Sequence, residues 1–335
     1  MNSPMNLTAS LAGAHATAAK PLKKHDMFRA CLVLAIAIAA LAIPFQPWLY
    51  PVFVMKIMCF ALFASAFNLL LGYGGLLSFG HAAFFGAAAY TTAHLCKAMA
   101  FGPGMGLAAG VAVAALLGAL MGGLAIRRQG IYFAMVTLAL AQLVYFVAIQ
   151  APFTGGEDGI QNVPRGRLFG VIDLANDAAM YYVVLLVFVG AVWLLHRTVQ
   201  SPFGEVLQAI RENESRAISL GYNVDRFKML AFVLSAAFAG LAGSLKVLVF
   251  QVATLSDVHW HASGEVVLMT LLGGVATLFG PIVGATVVVA LQNVLAGAGS
   301  WSTVVIGLVF MACVLAFRKG IVGELSEALR RLRRI

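Results

Sequence analysis

The chain has 335 residues, of which 61% are hydrophobic and only 10% are charged. Soluble proteins carry about 25% charged and about 45–50% apolar residues, so this chain has too little charge to cover a water-facing surface. A net charge of +9 would favour nucleic acid in a soluble chain. The composition instead predicts a polytopic membrane protein, and it excludes a soluble enzyme or a nucleic-acid-binding domain.

Apolar runs long enough to cross a bilayer recur along the sequence, because about 20 helical residues span a hydrocarbon core of about 30 Å. They cover 28–48, 51–71, 76–96, 104–126, 131–151, 179–196, 228–250 and 301–317. The stretch 264–299 is longer than one span and contains Gly273, Gly274, Gly280 and Pro281. It predicts two short spans or a re-entrant pair. The predicted fold is an all-α transmembrane helix bundle with about 8–10 membrane segments.

The basic residues indicate orientation. With the N-terminus in the cytoplasm and ten crossings, 17 of the 22 Lys and Arg residues fall on the cytoplasmic side, as the positive-inside rule requires. We expect a poorly ordered cytoplasmic tail over 1–27, a membrane domain over 28–317 and a basic cytoplasmic tail over 318–335. Residues 152–178 would form an external loop, and 197–228 would form the long cytoplasmic loop.

Small residues recur at every fourth position in one predicted span: Gly102, Gly106, Gly110, Ala114, Gly118 and Gly122. A second patch contains Ala236, Ala239, Gly240 and Gly243. Helices in lipid associate through close backbone contact. Both patterns therefore predict tight helix crossings, either within the chain or at a subunit interface.

The loop 197–228 contains an amphipathic pattern. Ser201 followed by Pro202 is typical of a helix start, and Gly221 is typical of a stop. Phe203, Val206, Leu207 and Ile210 share one face. The pattern predicts a short cytoplasmic helix over 201–221, whose apolar face lies either on lipid or in a groove of a soluble partner. Its mixed charges favour the partner, because a face that binds anionic lipid is rich in Lys and Arg.

Five ordered blocks carry a family resemblance. They read GYGGLLSFGHAAFFGAAAY (72–90), RRQGIYFAMVTLALAQ (127–142) with FTGGEDGI (153–160), SPFGEVLQAIRENESRAISLGY (201–222), GEVVLMTLLGGVATLFGPIVGA (264–285) and RKGIVG (318–323). Together they resemble branched-chain amino acid ABC transporter permeases of the LivM type. The chain departs from that pattern at Glu205, where the family usually has Arg, and at Val275, where it usually has Gly.

The resemblance implies a subunit of an inner-membrane importer for branched-chain or related hydrophobic amino acids, with both termini cytoplasmic. Its partners would be a homologous second permease subunit in a heterodimer, two cytoplasmic ATP-binding subunits and a periplasmic substrate-binding protein. The helix over 201–221 would couple to the ATPase through Phe203, Leu207, Ile210, Arg211 and Glu212. The sequence has no GxxxxGK(S/T) motif. We therefore expect no enzyme activity and no cofactor on this chain, with ATP and Mg²⁺ on the partners.

Polar residues inside the predicted spans are candidates for the solute pathway, since such groups are costly in lipid. The candidates for pathway lining are Asn68, Ser78, His81, Gln142 and Lys246. The first four could instead join two helices. Lys56 and Lys246 lie near the outer ends of their spans, where snorkelling to the interface is the alternative.

Catalytic and metal-binding residues are not predicted. His259 and His261 form an HxH pattern near Asp257 in an external loop, and the cysteines Cys31, Cys59, Cys96 and Cys313 stand singly.

Two other functions remain open. A permease of the same family could carry urea, short amides or another small organic solute. An ion-coupled secondary transporter would need carboxylates inside the membrane, yet the acidic residue nearest to a span interior is Glu265, at the end of its segment.

Overall fold

The computed structural model describes residues 50–168, 170, 172–298, 301–316 and 320–324. The predicted tail 1–27 and the first predicted span, 28–48, lie outside these residues, as does most of the tail 318–335. The proposed domain boundaries therefore stay predictions.

Within the described ranges, nearly all regular structure is helical, which confirms the predicted fold class. Eleven α-helices follow one another: α1 (Pro51–Asn68), α2 (His81–Lys97), α3 (Pro103–Ala125), α4 (Ile131–Gln150), α5 (Asp177–Val199), α6 (Pro202–Glu212), α7 (Glu214–Ser219), α8 (Val224–Phe250), α9 (Trp260–Gly273), α10 (Gly280–Val294) and α11 (Trp301–Ala316). Two short antiparallel strands, β1 (Arg167–Leu168) and β2 (Ile172–Asp173), lie in the loop between α4 and α5.

Six helical segments in the described part are long and apolar enough to cross a membrane. They are Pro51–Tyr73, Pro103–Ala125, Ile131–Gln150, Asp177–Val199, Val224–Phe250 and Gly280–Gly297. The helices α2, α9 and α11 are shorter, with 17, 14 and 16 residues. The chain is therefore a multi-pass helix bundle.

Helix α8 lies at the centre of the packing and contacts α1, α2 and α3. Small residues make these contacts close: a Cβ atom at Gly118 would meet Ala236, and one at Gly240 would meet Ala114. At Gly243 a Cβ atom would meet the backbone carbonyl of Phe85 in α2. The two small-residue patterns therefore form tight crossings, and both crossings lie within the chain.

The stretch 264–299 forms a helical hairpin, α9 followed by α10, as its glycines and proline predict. Helix α9 ends at Gly273, and α10 begins with Gly280 and Pro281. A side chain at Gly273 would meet the Gly280 backbone, and one at Gly284 would meet the Met269 carbonyl. Only glycine allows the two helices to approach this closely beside the loop 274–279.

Candidate functional site

The segment predicted as one helix over 201–221 consists of two helices. Helix α6 ends at Glu212, and Asn213 has extended backbone angles (φ −157°, ψ 96°). The Asn213 side chain accepts a hydrogen bond from the Arg216 backbone N–H at 2.9 Å and so caps α7. The single-helix prediction was wrong because an asparagine side chain competes with the helical backbone for such donors.

The apolar face of α6 packs against the chain itself. Leu207 is 0% exposed and Ile210 is 3% exposed. Ile210 belongs to a buried cluster with Ala217 and Val224, and the half-buried Phe203 stacks on Phe227 at a ring-centroid distance of 5.8 Å. The face that the sequence analysis assigned to lipid or to a partner groove is thus already covered.

Other residues of the segment face outward. Glu212 is exposed, as are three large apolar side chains in and after α7: Ile218 (58%), Leu220 (71%) and Tyr222 (42%). The amphipathic spacing does not predict these three residues, because that spacing continues as one helix through Asn213. We call the residues 202–222 the α6–α7 segment.

Arg211 connects α6 to the end of α1. The last turns of α1 continue as a π-helix over Leu69–Tyr73, and the Arg211 guanidinium donates a hydrogen bond to the Gly72 carbonyl. Its aliphatic stem lies against Gly75, where an added Cβ atom would be 2.8 Å from the Arg211 Cγ. Arg211, predicted to contact an ATPase, is therefore engaged within the chain.

Asn68 connects the same end of α1 to the loop 274–279. Its Nδ2 donates to the Thr277 carbonyl at 2.8 Å, and its Oδ1 accepts from the Ala276 N–H at 3.0 Å. The side chain is buried, at 3% exposure. Because the loop uses both ends of the amide, the structure places Asn68 in a contact between segments. We call the meeting point of α6, the π-helix and this loop the α6 junction.

Thr277 closes the loop at the junction. Its Oγ1 donates to the Gly274 carbonyl at 2.8 Å and accepts from the Gly280 N–H at 3.1 Å. The hydroxyl thereby joins the C-terminal end of α9 to the first residue of α10. Ala276 adopts a positive φ of 60° between them, a backbone conformation that is uncommon for residues other than glycine.

His81 lies in the bundle core and joins three helices. Its Nε2 lies 2.8 Å from the Ser235 Oγ, which donates its only proton to the Ala66 carbonyl at 2.6 Å. The histidine therefore donates from Nε2, and its Nδ1 has no hydrogen-bond partner among the described residues. The fully buried ring sits edge-on to Phe67, at 5.0 Å between centroids.

Ser78 lies in the turn just before His81, and Gln142 lies on a different helix. The Ser78 hydroxyl accepts from the Gly80 N–H at 3.1 Å within a turn, and Gln142 is half-buried on α4. A role of the five candidate residues in lining the solute pathway stays a prediction.

Lys246 forms a buried ion pair at the opposite end of α8 from the α6–α7 segment. Its Nζ lies 2.7 Å from the Asp257 Oδ2, and each side chain is only about a tenth exposed. The same carboxylate oxygen accepts from the Thr254 backbone N–H at 3.1 Å. The charge of the lysine is therefore paired inside the protein.

A cavity of about 590 Å³ opens beside this ion pair. We call it the Asp257 cavity. Its polar wall contains Asp257 and Glu265, and its aromatic wall contains Phe60, Phe85 and Tyr145. Size and lining fall in the range of small-molecule sites. The aromatic wall was not predicted from the sequence, since α1, α2 and α4 each supply one residue.

Lys246 and Asp257 form a close ion pair, but the other charged groups around the Asp257 cavity are only loosely paired. The Glu265 Oε1 lies 3.9 Å from the His261 Nδ1, one helical turn away. The His259 Nδ1 accepts from the His261 backbone N–H at 3.3 Å. In the described part of the chain, no three His, Cys, Asp or Glu residues are grouped to hold a metal ion.

Residues 52–314 match the family described as "Branched-chain amino acid transport system / permease component". LivM of Escherichia coli, named as a high-affinity branched-chain amino acid transport system permease, is 28% identical over 82% of this chain and 70% of its own length. The autoinducer 2 import permease LsrC of Klebsiella pneumoniae is 29% identical over 67% of this chain and 64% of its own length. The ribose import permease RbsC of Bacillus subtilis is 28% identical over 54% and 58%. No solved structure matches.

Proposed function

Because this chain belongs to the family of branched-chain amino acid transport permease components, a family of ABC importer subunits, we propose that it carries branched-chain or related hydrophobic amino acids across a bacterial inner membrane. The LivM similarity supports this substrate class, since it extends over 82% of the chain. Relatives named for autoinducer 2 and ribose cover less of it.

The partners in this proposal are a second, homologous permease subunit, two ATP-binding subunits on the cytoplasmic side and a periplasmic substrate-binding protein. ATP and Mg²⁺ would bind to the ATPase subunits. Both termini of the chain would lie in the cytoplasm, as the positive-inside rule requires.

The observation that carries the coupling role is the exposed surface of the α6–α7 segment. Ile218, Leu220 and Tyr222 present apolar area to the exterior beside Glu212 and Arg216. An apolar patch with a charged rim is typical of a protein interface. We propose that these residues contact the ATPase, together with Glu212, while Phe203, Leu207, Ile210 and Arg211 hold the segment in place.

The experiment compares Ile218→Asp/Leu220→Asp with Gln200→Asp, which adds charge at an exposed residue before α6. The tagged chain is purified from native membranes to measure how much of the ATPase subunits stays bound to it. Uptake of leucine, urea and ribose is measured separately. We expect the double variant to insert normally but to lose the ATPase subunits and leucine uptake, while the control keeps both.

Unchanged leucine uptake by the double variant would refute docking through this patch. Uptake of urea or ribose without leucine would replace the proposed substrate. Gradient-driven uptake by the purified chain alone, without ATP, would identify a secondary transporter.

A further inference from the structure

We propose that Asn68 is a positioning residue that transmits movement of α6 to the α9–α10 hairpin. The inference rests on the proposed function, in which an ATPase moves the α6–α7 segment. The observation behind it is the α6 junction, where three segments distant in sequence meet through hydrogen bonds.

The first contact of the transmission joins α6 to the end of α1. Arg211 bonds to the Gly72 carbonyl, and Leu207 lies 3.7 Å from the position that a Cβ atom would take at Gly74. The acceptor of the Arg211 bond is a backbone carbonyl, so this contact reaches the main chain of the π-helix. Movement of α6 therefore acts on the backbone of the π-helix.

The backbone of the π-helix is in close contact with the loop 274–279. A Cβ atom at Gly72 would meet the Asn68 Oδ1 and would lie 2.7 Å from the Ala276 nitrogen. The chain at Gly72 thus lies directly against the loop 274–279. Closely packed groups of this kind pass a displacement on, because protein interiors have low compressibility.

The second contact joins α1 to the hairpin loop. Asn68 holds the loop by an acceptor and a donor at once, through Ala276 and Thr277. Two bonds of opposite polarity fix the position and orientation of the loop, while a single bond would leave it free to pivot. Asn68 is therefore the hydrogen-bonded link between the end of α1 and the loop, beside the packing contact at Gly72.

Thr277 passes the movement on to both helices of the hairpin. Its hydroxyl bonds to Gly274, after the end of α9, and to Gly280, at the start of α10. Both helices pack against α1. A displaced loop would therefore change how the hairpin sits against α1.

The π-helix is a suitable place for such a transmission. An α-helix takes up an added residue as a π-turn without breaking, and such turns occur frequently at functional sites. The π-helix Leu69–Tyr73 follows Asn68 directly and carries Gly72. A change in the register of the π-helix would alter the distance between Gly72, which Arg211 contacts, and Asn68, which holds the loop. Helix α1 itself would remain intact.

A merely structural role makes a different prediction. If Asn68 only satisfied the loop amides, its removal would lower the yield of folded complex and reduce ATP hydrolysis and transport in parallel. A transmitting residue, once removed, separates the two activities. The ATPase continues to turn over, and the solute is carried less often in each cycle.

The test uses the complete transporter, reconstituted with its binding protein. Asn68→Leu keeps the approximate volume and removes both hydrogen bonds. Asn68→Asp keeps the acceptor for the Ala276 N–H and removes the donor. Ser65→Ala is the matched control, because the buried Ser65 hydroxyl bonds to the Ala61 carbonyl one turn away in its own helix α1.

We expect Asn68→Leu to lower leucine uptake about tenfold, the usual size of a coupling effect between sites, at nearly unchanged ATP hydrolysis. Asn68→Asp should lie between this variant and the wild type, and Ser65→Ala should match the wild type. An unchanged number of ATP molecules per leucine would overturn the inference, as would a parallel fall of both activities.

Failure of the inference can be told apart from failure of the proposed function. If the proposed function is wrong, the wild-type chain brings no ATPase with it and shows no ATP-dependent uptake, and both proposals fall. If only the transmission is wrong, the wild-type complex transports normally and the Asn68 variants keep its ATP-to-leucine ratio. Should Asn68→Leu prevent assembly, the ratio measured for Asn68→Asp decides in the same way.

Discussion

The α6 junction and the Asp257 cavity lie at opposite ends of the bundle and differ in packing and in the pairing of their polar groups. At the junction, Asn68 and Thr277 have both hydrogen-bonding functions paired with backbone groups, and Gly72 has no room for a side chain. At the cavity, about 590 Å³ is open, and Glu265 has a partner only at 3.9 Å.

The difference shows how one bundle can hold close-packed contacts at one end and open volume at the other. A contact that transmits movement needs short bonds to backbone and no free volume. A site that admits a solute needs free volume and polar groups that are not fully committed to the protein. Between the two ends, close glycine and alanine contacts of α8 with α2 and α3 keep the core rigid.

The largest effect is expected at the ion pair beside the cavity. Asp257→Asn leaves Lys246 buried without a counter-charge, so we expect the free energy of unfolding to fall by about 3–5 kcal/mol. Thermal unfolding of the purified chain in detergent measures the change. Lys246→Met/Asp257→Leu, which removes both charges, should recover most of the loss. A single variant as stable as this double variant would show that the pair is not desolvated.

An intermediate effect is expected within the α6 junction. Thr277→Val keeps the shape of the side chain but leaves the Gly280 N–H and the Gly274 carbonyl without their partner. The expected cost is about 1–3 kcal/mol in the same unfolding measurement. Thr286→Val is the control, because its exposed hydroxyl bonds to the Ile282 carbonyl within its own helix. Equal losses for the two variants would contradict the special role of the loop.

The smallest effect on stability is expected inside the cavity. Glu265→Gln removes a weak, partly exposed contact to His261, so unfolding should change by less than about 0.5 kcal/mol. A loss above about 1 kcal/mol would mean that Glu265 stabilises the fold. The contrast between the two ends would then be smaller than the geometry indicates.

The membrane segments were predictable because their cause is local. Apolar length alone located α3, α4, α5 and α8 to within a few residues, and the glycines and Pro281 located the break between α9 and α10. The small-residue spacing in α3 likewise predicted a close crossing. This spacing could not predict the partner helices, since a row of small residues shows which face of a helix packs closely and not which helix it packs against.

The candidate sites were less predictable because their causes are distant in sequence. Asn68 and Arg211 were both singled out, yet their partners lie 208 and 139 residues away. A pathway role for Asn68 and a partner contact for Arg211 were reasonable for exposed groups. Folding gave the buried Asn68 and the exposed Arg211 contacts to other segments that no local pattern contains.

The α6–α7 segment shows the same limit on a smaller scale. Its amphipathic spacing correctly identified Leu207 and Ile210 as one face, but the spacing contains no information on what covers that face. Phe227 and Val224 of α8 cover it, and Asn213 ends the helix that the pattern would have continued.

The amino-acid sequence by itself determined that this protein is a multi-pass helix bundle, where the break between α9 and α10 lies, and to which family it belongs. Hydrophobic length, glycine placement and ordered sequence blocks are all properties of consecutive residues. Only the tertiary structure decided that Asn68 holds the hairpin loop, that Lys246 is paired with Asp257 and that aromatic residues of three helices face one cavity. Those contacts depend on which helices become neighbours, and that choice is made by packing across the whole chain.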